Sequence, residues 1–255
     1  MDWSQWYVDD ADHVAEGCEQ GAIIYELRAT LDQLACMHRW ARVYIGADNY
    51  FSWMSGQPQV KVSPDVYLLD DPPPPPMPRS WQTWRPGHRP PRWAVEVVSD
   101  DWSKDYEDGP AKYALLGCTE LVLFDPDAVL GLVRNQVRVP LSVFRRGADG
   151  ALAAVYAGPG PAYSEQIGCW LWARREGYVV RLRLSEDEEG QRMIPTRLEA
   201  ERAQVAAEAN RAREAEAARA REAEARAREA EARAEAEKRV RELEERLRRL
   251  ERGQS

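Results

Sequence analysis

The chain has 255 residues, 44% of them hydrophobic, with ten tryptophans and ten tyrosines, so it can bury one sizeable core plus an extension, or two small domains. No apolar run reaches the roughly 18 residues of a membrane span, and the acidic start MDWSQWYVDDADHVAEG lacks the charged-then-apolar pattern of a secretory leader; a cytoplasmic protein is expected. The net charge of −8 is uneven, with 16 basic and 15 acidic residues from Thr196 onward and 19 and 28 before it; such an acidic body disfavours strong nonspecific binding to nucleic acid but permits a local basic groove.

Four cysteines (Cys18, Cys36, Cys118, Cys169) form no CxxC pair, and three histidines (His13, His38, His88) have no HExxH-type spacing. A disulfide framework, a zinc site and a histidine-based metal site are therefore not expected.

In chain order, apolar residues at Ile23, Ile24, Leu27, Leu31 and Leu34 predict a helix over 22–39. ARVYIG (41–46) reads as a short strand, VKVSPDVYLLD (60–70) as extended, and WAVEVVS (93–99) as a buried strand. Asp108-Gly109-Pro110 looks like a helix start and Gly117 its cap. ELVLF (120–124) is another buried strand, closed by Asp125-Pro126; strand signals at 130–145, 151–157 and 178–184 suggest an antiparallel meander. SEDEEGQRMIPT reads as a hinge, and residues 197–252, nearly free of Gly, Pro and aromatics, as one long helix.

That helix carries an internal repeat: REAEARA begins at Arg221 and again at Arg228, with a related copy from Arg213. Alanines at 220, 223, 227, 230 and 234 form a narrow seam, and Ala236, Val240, Leu243, Leu247 and Leu250 a larger one, out of phase with the first across a stutter at 234–236. Two readings are open, a coiled-coil arm that makes a homodimer and a solvated single helix.

Two carboxylates stand in apolar strand contexts, Asp65 after Pro64 and Glu96 inside WAVEVVS. A carboxylate there is costly unless paired, hydrogen-bonded or bound to a cation. Brought together on neighbouring strands they would make a hard oxygen site suited to Mg²⁺; two structural salt bridges are the alternative. Between them, the polyproline DDPPPPPMP leads into RSWQTWRPGHRPPR, where Arg79, Arg85, Arg89 and Arg92 interleave with Trp81 and Trp84. Arginine with aromatics suits phosphate contacts and base stacking; a proline-bounded loop with tryptophans packed on the sheet is the other reading.

PD at 64–65, EVVS at 96–99, DYEDGPAKYALLG from Asp105 and ELVLFDP at 120–126, in this order, resemble the Uma-two family of the PD-(D/E)xK nuclease superfamily, over roughly residues 20 to 190. The resemblance implies an α/β (α+β) restriction-endonuclease-like core, a mixed central sheet flanked by helices, in residues 1–190, with 191–255 as hinge and helical arm. It implies a Mg²⁺- (or Mn²⁺-) dependent endonuclease hydrolysing phosphodiester bonds in DNA, with Asp65 and Glu96 as catalytic metal ligands, joined by the backbone carbonyl of Val97. The sequence departs from the pattern at the lysine. Val98 holds its place in ExK, and Gly109 its place four residues before the tyrosine that matches Tyr113. Lys112, a turn further on, is taken as the catalytic lysine and Lys104 as a second candidate, also counted with the four arginines as a nucleic-acid contact. Glu26 is weighed as an additional acidic ligand, and Asp105 as a residue orienting the lysine or capping the helix. Asp125 and Tyr113 are read as turn and packing residues. The alternative is a catalytically inactive nuclease fold acting as a nucleic-acid-binding or scaffold protein that oligomerises through its C-terminal helix.

Overall fold

The computed structural model describes residues 18–134 and 137–252; the stretch read for a leader lies outside them. By its internal contacts the chain divides into two units, 1–198 and 199–255.

The described residues of the first unit begin with helix α1 (Cys18–Met37), which puts Ile23, Ile24, Leu27, Leu31 and Leu34 into the core. It stops short of residue 39 because Arg39 takes a φ of 52°, outside helical space. Among the described residues twelve strands follow: β1 (Val43–Gly46), β2 (Tyr50–Ser52), β3 (Lys61–Val62), β4 (Val66–Asp70), β5 (Ser80–Gln82) and β6 (Trp93–Val97), then β7 (Glu120–Phe124), β8 (Leu141–Arg146), β9 (Leu152–Gly158), β10 (Ala162–Ser164), β11 (Cys169–Glu176) and β12 (Val179–Ser185). Six of them make a mixed sheet in the order β1-β4-β6-β7-β8-β9, while β10-β11-β12 and β3-β2-β5 form two small sheets. Within the large sheet β6 and β7 run parallel, a pairing that needs a crossover. Helix α2 (Gly109–Leu116) supplies it, preceded by a π-helical turn at Lys104–Asp108.

The central strands are apolar on both faces, as strands covered on both sides must be. Val66, Leu68, Val95, Val97, Val122 and Phe124 cluster with α1 and the β10–β12 sheet. Tyr67, Leu69, Ala94, Val98, Leu121 and Leu123 cluster with Tyr113 and Leu116 of α2 and with Phe51 and Trp81 of the small sheet. The mixed sheet with flanking helices and the long C-terminal helix are the expected α+β architecture.

Two local readings change. Extended structure was expected from residue 130, but Pro126–Leu130 is helix α3 and β8 starts only at Leu141. Asp125 caps that helix, its Oδ1 accepting the Ala128 N–H at 3.0 Å, with Pro126 pre-set at the first helical position. The segment expected as a hinge is tied down: the Asp187 carboxylate accepts the N–H groups of Gln191 at 2.7 Å and Arg192 at 3.0 Å, and Ile194 is buried in the core.

Helix α4 (Arg197–Arg252) is 56 residues long, exposed throughout 201–246. Its Ala, Glu and Arg are strong helix formers, and i,i+4 pairs such as Arg226 with Glu222 at 2.5 Å and Arg233 with Glu237 at 3.4 Å support it. Among the described residues no helix is long and apolar enough to cross a membrane.

Candidate active site

Strand pairing brings the two acids together. β4 and β6 are antiparallel with Val66 opposite Val95, so one step further Asp65 and Glu96 fall opposite in register. The ladder ends there because the Asp65 side chain replaces a backbone acceptor: its Oδ2 takes the Val97 N–H at 2.6 Å, and its Oδ1 the Gln20 amide at 3.0 Å. Glu96 points to the α2 side, where the Tyr113 hydroxyl donates to its Oε1. Both carboxylates line a cavity of about 260 Å³ whose wall also includes Lys61, Lys104, Asp105 and Lys112.

The lining balances three acids (Asp65, Glu96, Asp105) with three lysines (Lys61, Lys104, Lys112), and burial dominates the electrostatics of the acids. Burial pushes the Asp65 carboxyl up to about 7, against the pull of the Val97 and Gln20 hydrogen bonds. Burial, then the neighbouring Asp65 charge, holds Glu96 well above the usual carboxylate range, with the Tyr113 hydrogen bond and Lys104 opposing. Asp105, also buried, is pushed up to about 6 by desolvation, chiefly opposed by Lys104. Burial penalises the charged form of adjacent carboxylates, and a cation held between them relieves that penalty.

The donor set suits a hard one. Among the described residues no group of three or more His, Cys, Asp or Glu side chains forms a ready-made metal cluster. Mg²⁺, however, usually binds through one or two carboxylates and leaves its other positions to water and phosphate. Asp65 and Glu96 with the cavity between them fit that pattern.

The expected lysines separate. Val98 is buried on the Glu96 side of the sheet, in the α2 cluster, so it fills the ExK position as a packing residue. Lys112 reaches the cavity wall, but its Nζ donates to Asp108 at 2.9 Å along its own helix. Lys104 lies on the wall with its charge acting on Glu96 and Asp105. Three contributors were not anticipated. Gln20 precedes the expected helix start and gave no signal. Tyr113 was read as packing alone. Lys61, by contrast, was detectable, since it lies in the segment read as extended, where Val62, Ser63 and Asp65 also line the cavity.

Other candidates lie elsewhere. Glu26 pairs with Arg181 of β12 at 2.7 Å rather than joining Asp65 and Glu96. None of the four loop arginines lines the cavity. Arg92 bonds Asp70 at 2.9 Å and stacks over Trp40, and Arg89 faces Asp71 at 3.7 Å. Arg79 and Arg85 are exposed. Trp81 is core, its indole N–H bonding the Tyr67 hydroxyl at 3.0 Å, while Trp84 is exposed. Asp125 is fully buried and gripped by Arg138 at 2.7 and 2.8 Å, a structural pair.

A mixed sheet with paired acids at the ends of two adjacent strands, beside a lysine-lined cavity, defines a restriction-endonuclease-like protein. The profile of the Uma2 family, described as "Putative restriction endonuclease", matches residues 14–165, and the chain belongs to that family. Families of this kind are typically metal-dependent nucleases. Among solved structures the chain is similar to a "putative nuclease belonging to DUF820" from Anabaena variabilis ATCC 29413, at 15% identity over 59% of this chain and 72% of that one, with a TM-score of 0.39. No curated protein matches the chain.

Proposed function

We propose that the chain is a Mg²⁺-dependent endonuclease, served also by Mn²⁺, that hydrolyses phosphodiester bonds in DNA. One observation carries the reading: Asp65 and Glu96 meet across adjacent strands at an open cavity, both ionised forms penalised by burial. These two side chains, with the Val97 carbonyl, would hold the metal. When bound, it lowers the pKa of a water and stabilises charge on the attacked phosphate. Gln20 and the Val97 N–H fix the Asp65 carboxylate, and Tyr113 fixes that of Glu96. Lys104 takes the place of the missing motif lysine, its ammonium orienting the attacking water beside Glu96. Arg79, Arg85 and the exposed ring of Trp84 are suited to phosphate and base contacts. A homodimer through α4 would supply two such sites.

Cleavage of plasmid and single-stranded DNA with Mg²⁺ or Mn²⁺ tests this, comparing wild type with Asp65→Ala and Glu96→Ala. Activity unchanged in both variants removes the site assignment. A second reading, an inactive nuclease fold that binds nucleic acid or acts as a scaffold, is favoured by buried Val98 and by Lys112 engaged with Asp108. Calorimetry separates the two: Asp65-dependent binding of Mn²⁺ supports the nuclease, and absence of binding supports the scaffold.

A further inference from the structure

The charge pattern of α4 defines an orientation as well as a partner. In the first seam, alanines 220, 223, 227, 230 and 234 occupy alternating a and d positions, which puts Arg219 and Arg226 at g and Glu224 and Glu231 at e. Beyond the stutter, Val240 and Leu243 at a and d put Arg239 and Arg246 at g and Glu244 at e. Two registers out of phase with each other thus carry the same code.

In a parallel pair of helices each g residue meets the e residue of the following heptad on the partner. Arg219 then meets Glu224, Arg226 meets Glu231, and Arg239 meets Glu244, all attractive. In an antiparallel pair g meets g and e meets e, Arg on Arg and Glu on Glu. The apolar seam is uncovered as well, with Val240 53% and Leu243 58% exposed, and a code complementary to itself is met by a second copy of this chain. We infer that α4 pairs with α4 of a second copy as a parallel, in-register coiled coil. Chain connectivity then attaches both globular units to the same end of that arm. The inference needs the dimer proposed above but none of its chemistry.

The test uses the full chain with single added cysteines, Ala227→Cys at a, Leu243→Cys at d, and Ala225→Cys on the outer face as control, beside wild type for the background of native thiols. Sedimentation should give a dimer, and mild oxidation should cross-link both seam variants and leave the control at background. The two seam positions are about 24 Å apart along the helix, so an antiparallel pair can join like positions at one of them but not both. A monomer overturns the dimer itself. A dimer that cross-links at only one seam position, or at neither, overturns the parallel pairing alone. Arg219→Glu with Arg226→Glu should weaken association on the order of tenfold, since four attractive pairs per dimer become repulsive. Adding Glu224→Arg and Glu231→Arg should restore it, and failure of that rescue also counts against the pairing.

Discussion

Between about pH 5 and pH 8 the metal-free protein should lose stability, because its buried acids must ionise in place. Asp65 is pushed from 3.8 up to about 7 by burial. Over that window the native state keeps a proton that the unfolded chain has released, so unfolding releases a proton and rising pH favours it. The stability is fully present below the unfolded value near 4 and is lost as the pH passes the folded value near 7. The part of that displacement lying above pH 5 corresponds to about 3 kcal/mol lost by pH 8, on a side chain almost fully enclosed. For a body of nearly 200 residues this is a fall in Tm of roughly 10 °C. Thermal and urea unfolding in a chelator, at steps across the window, measures it; Asp65→Asn should flatten the slope by the same amount. That variant also strips an acceptor from the Val97 N–H, so its slope rather than its absolute stability is the readout. Mg²⁺ added to wild type at pH 8 should restore most of the loss, and Asp65→Asn should not respond. A wild-type Tm that is level or rises from pH 5 to 8, with no response to Mg²⁺, would refute the claim that burial penalises ionised Asp65 at this cavity.

Three substitutions test the parts around those acids. Gly109→Lys returns a lysine to its family position, and a Cβ there meets only the Lys104 carbonyl at 3.6 Å, ordinary contact. DNA cleavage with Mg²⁺ should rise at least about tenfold, within the range of a positioned acid–base group; unchanged cleavage with metal binding intact would mean the lysine is not what limits the site. Tyr113→Phe removes the donor to Glu96 and should cost about 1–3 kcal/mol. It should also raise the Glu96 pKa further, so that Mn²⁺ affinity drops, and drops less as the pH is raised; calorimetry showing wild-type affinity at every pH would count against it. Arg138→Ala strands the Asp125 carboxylate in the core and should cost about 3–5 kcal/mol in urea unfolding, with metal binding in the remaining folded protein unaffected.

What could be read from the sequence was set by periodicity and burial. The strands around Asp65 and Glu96 announced themselves because a carboxylate among Val, Leu and Trp is an anomaly, and β-strand alternation fixes which face it takes. Helix α2 was equally plain, with proline at its start and Gly117, at a φ of 99°, at its end. The small sheets were not. β2, β3 and β5 are two or three residues long, too short to show a period, and β11 mixes tryptophan and arginine on faces that the sequence alone does not distinguish. Helix α3 at Pro126–Leu130 went unread and the strand expected from residue 130 begins only at Leu141; the cap formed by Asp125 and the proline after it decide for helix.

The cations of the site were harder to place than the acids, and the reason is physical. An acid held in a strand has its position set by the backbone ladder, so Asp65 and Glu96 could be located from register alone. A lysine reaches a site through four rotatable bonds, from whatever segment passes nearby. Lys112 was chosen by its closeness to Gly109 in sequence, but on a helix it is Asp108, four residues back, that its ammonium meets. Lys104 sits in the π-helical turn that carries the chain from β6 to α2, and nothing in the residues around it signals that turn. A π-helical turn rotates the residues before it relative to the helix it feeds, and here it leaves both Lys104 and Asp105 on the cavity wall. On the proposed reading the site keeps its acids where the strands fix them and takes its lysine from a different place in the chain.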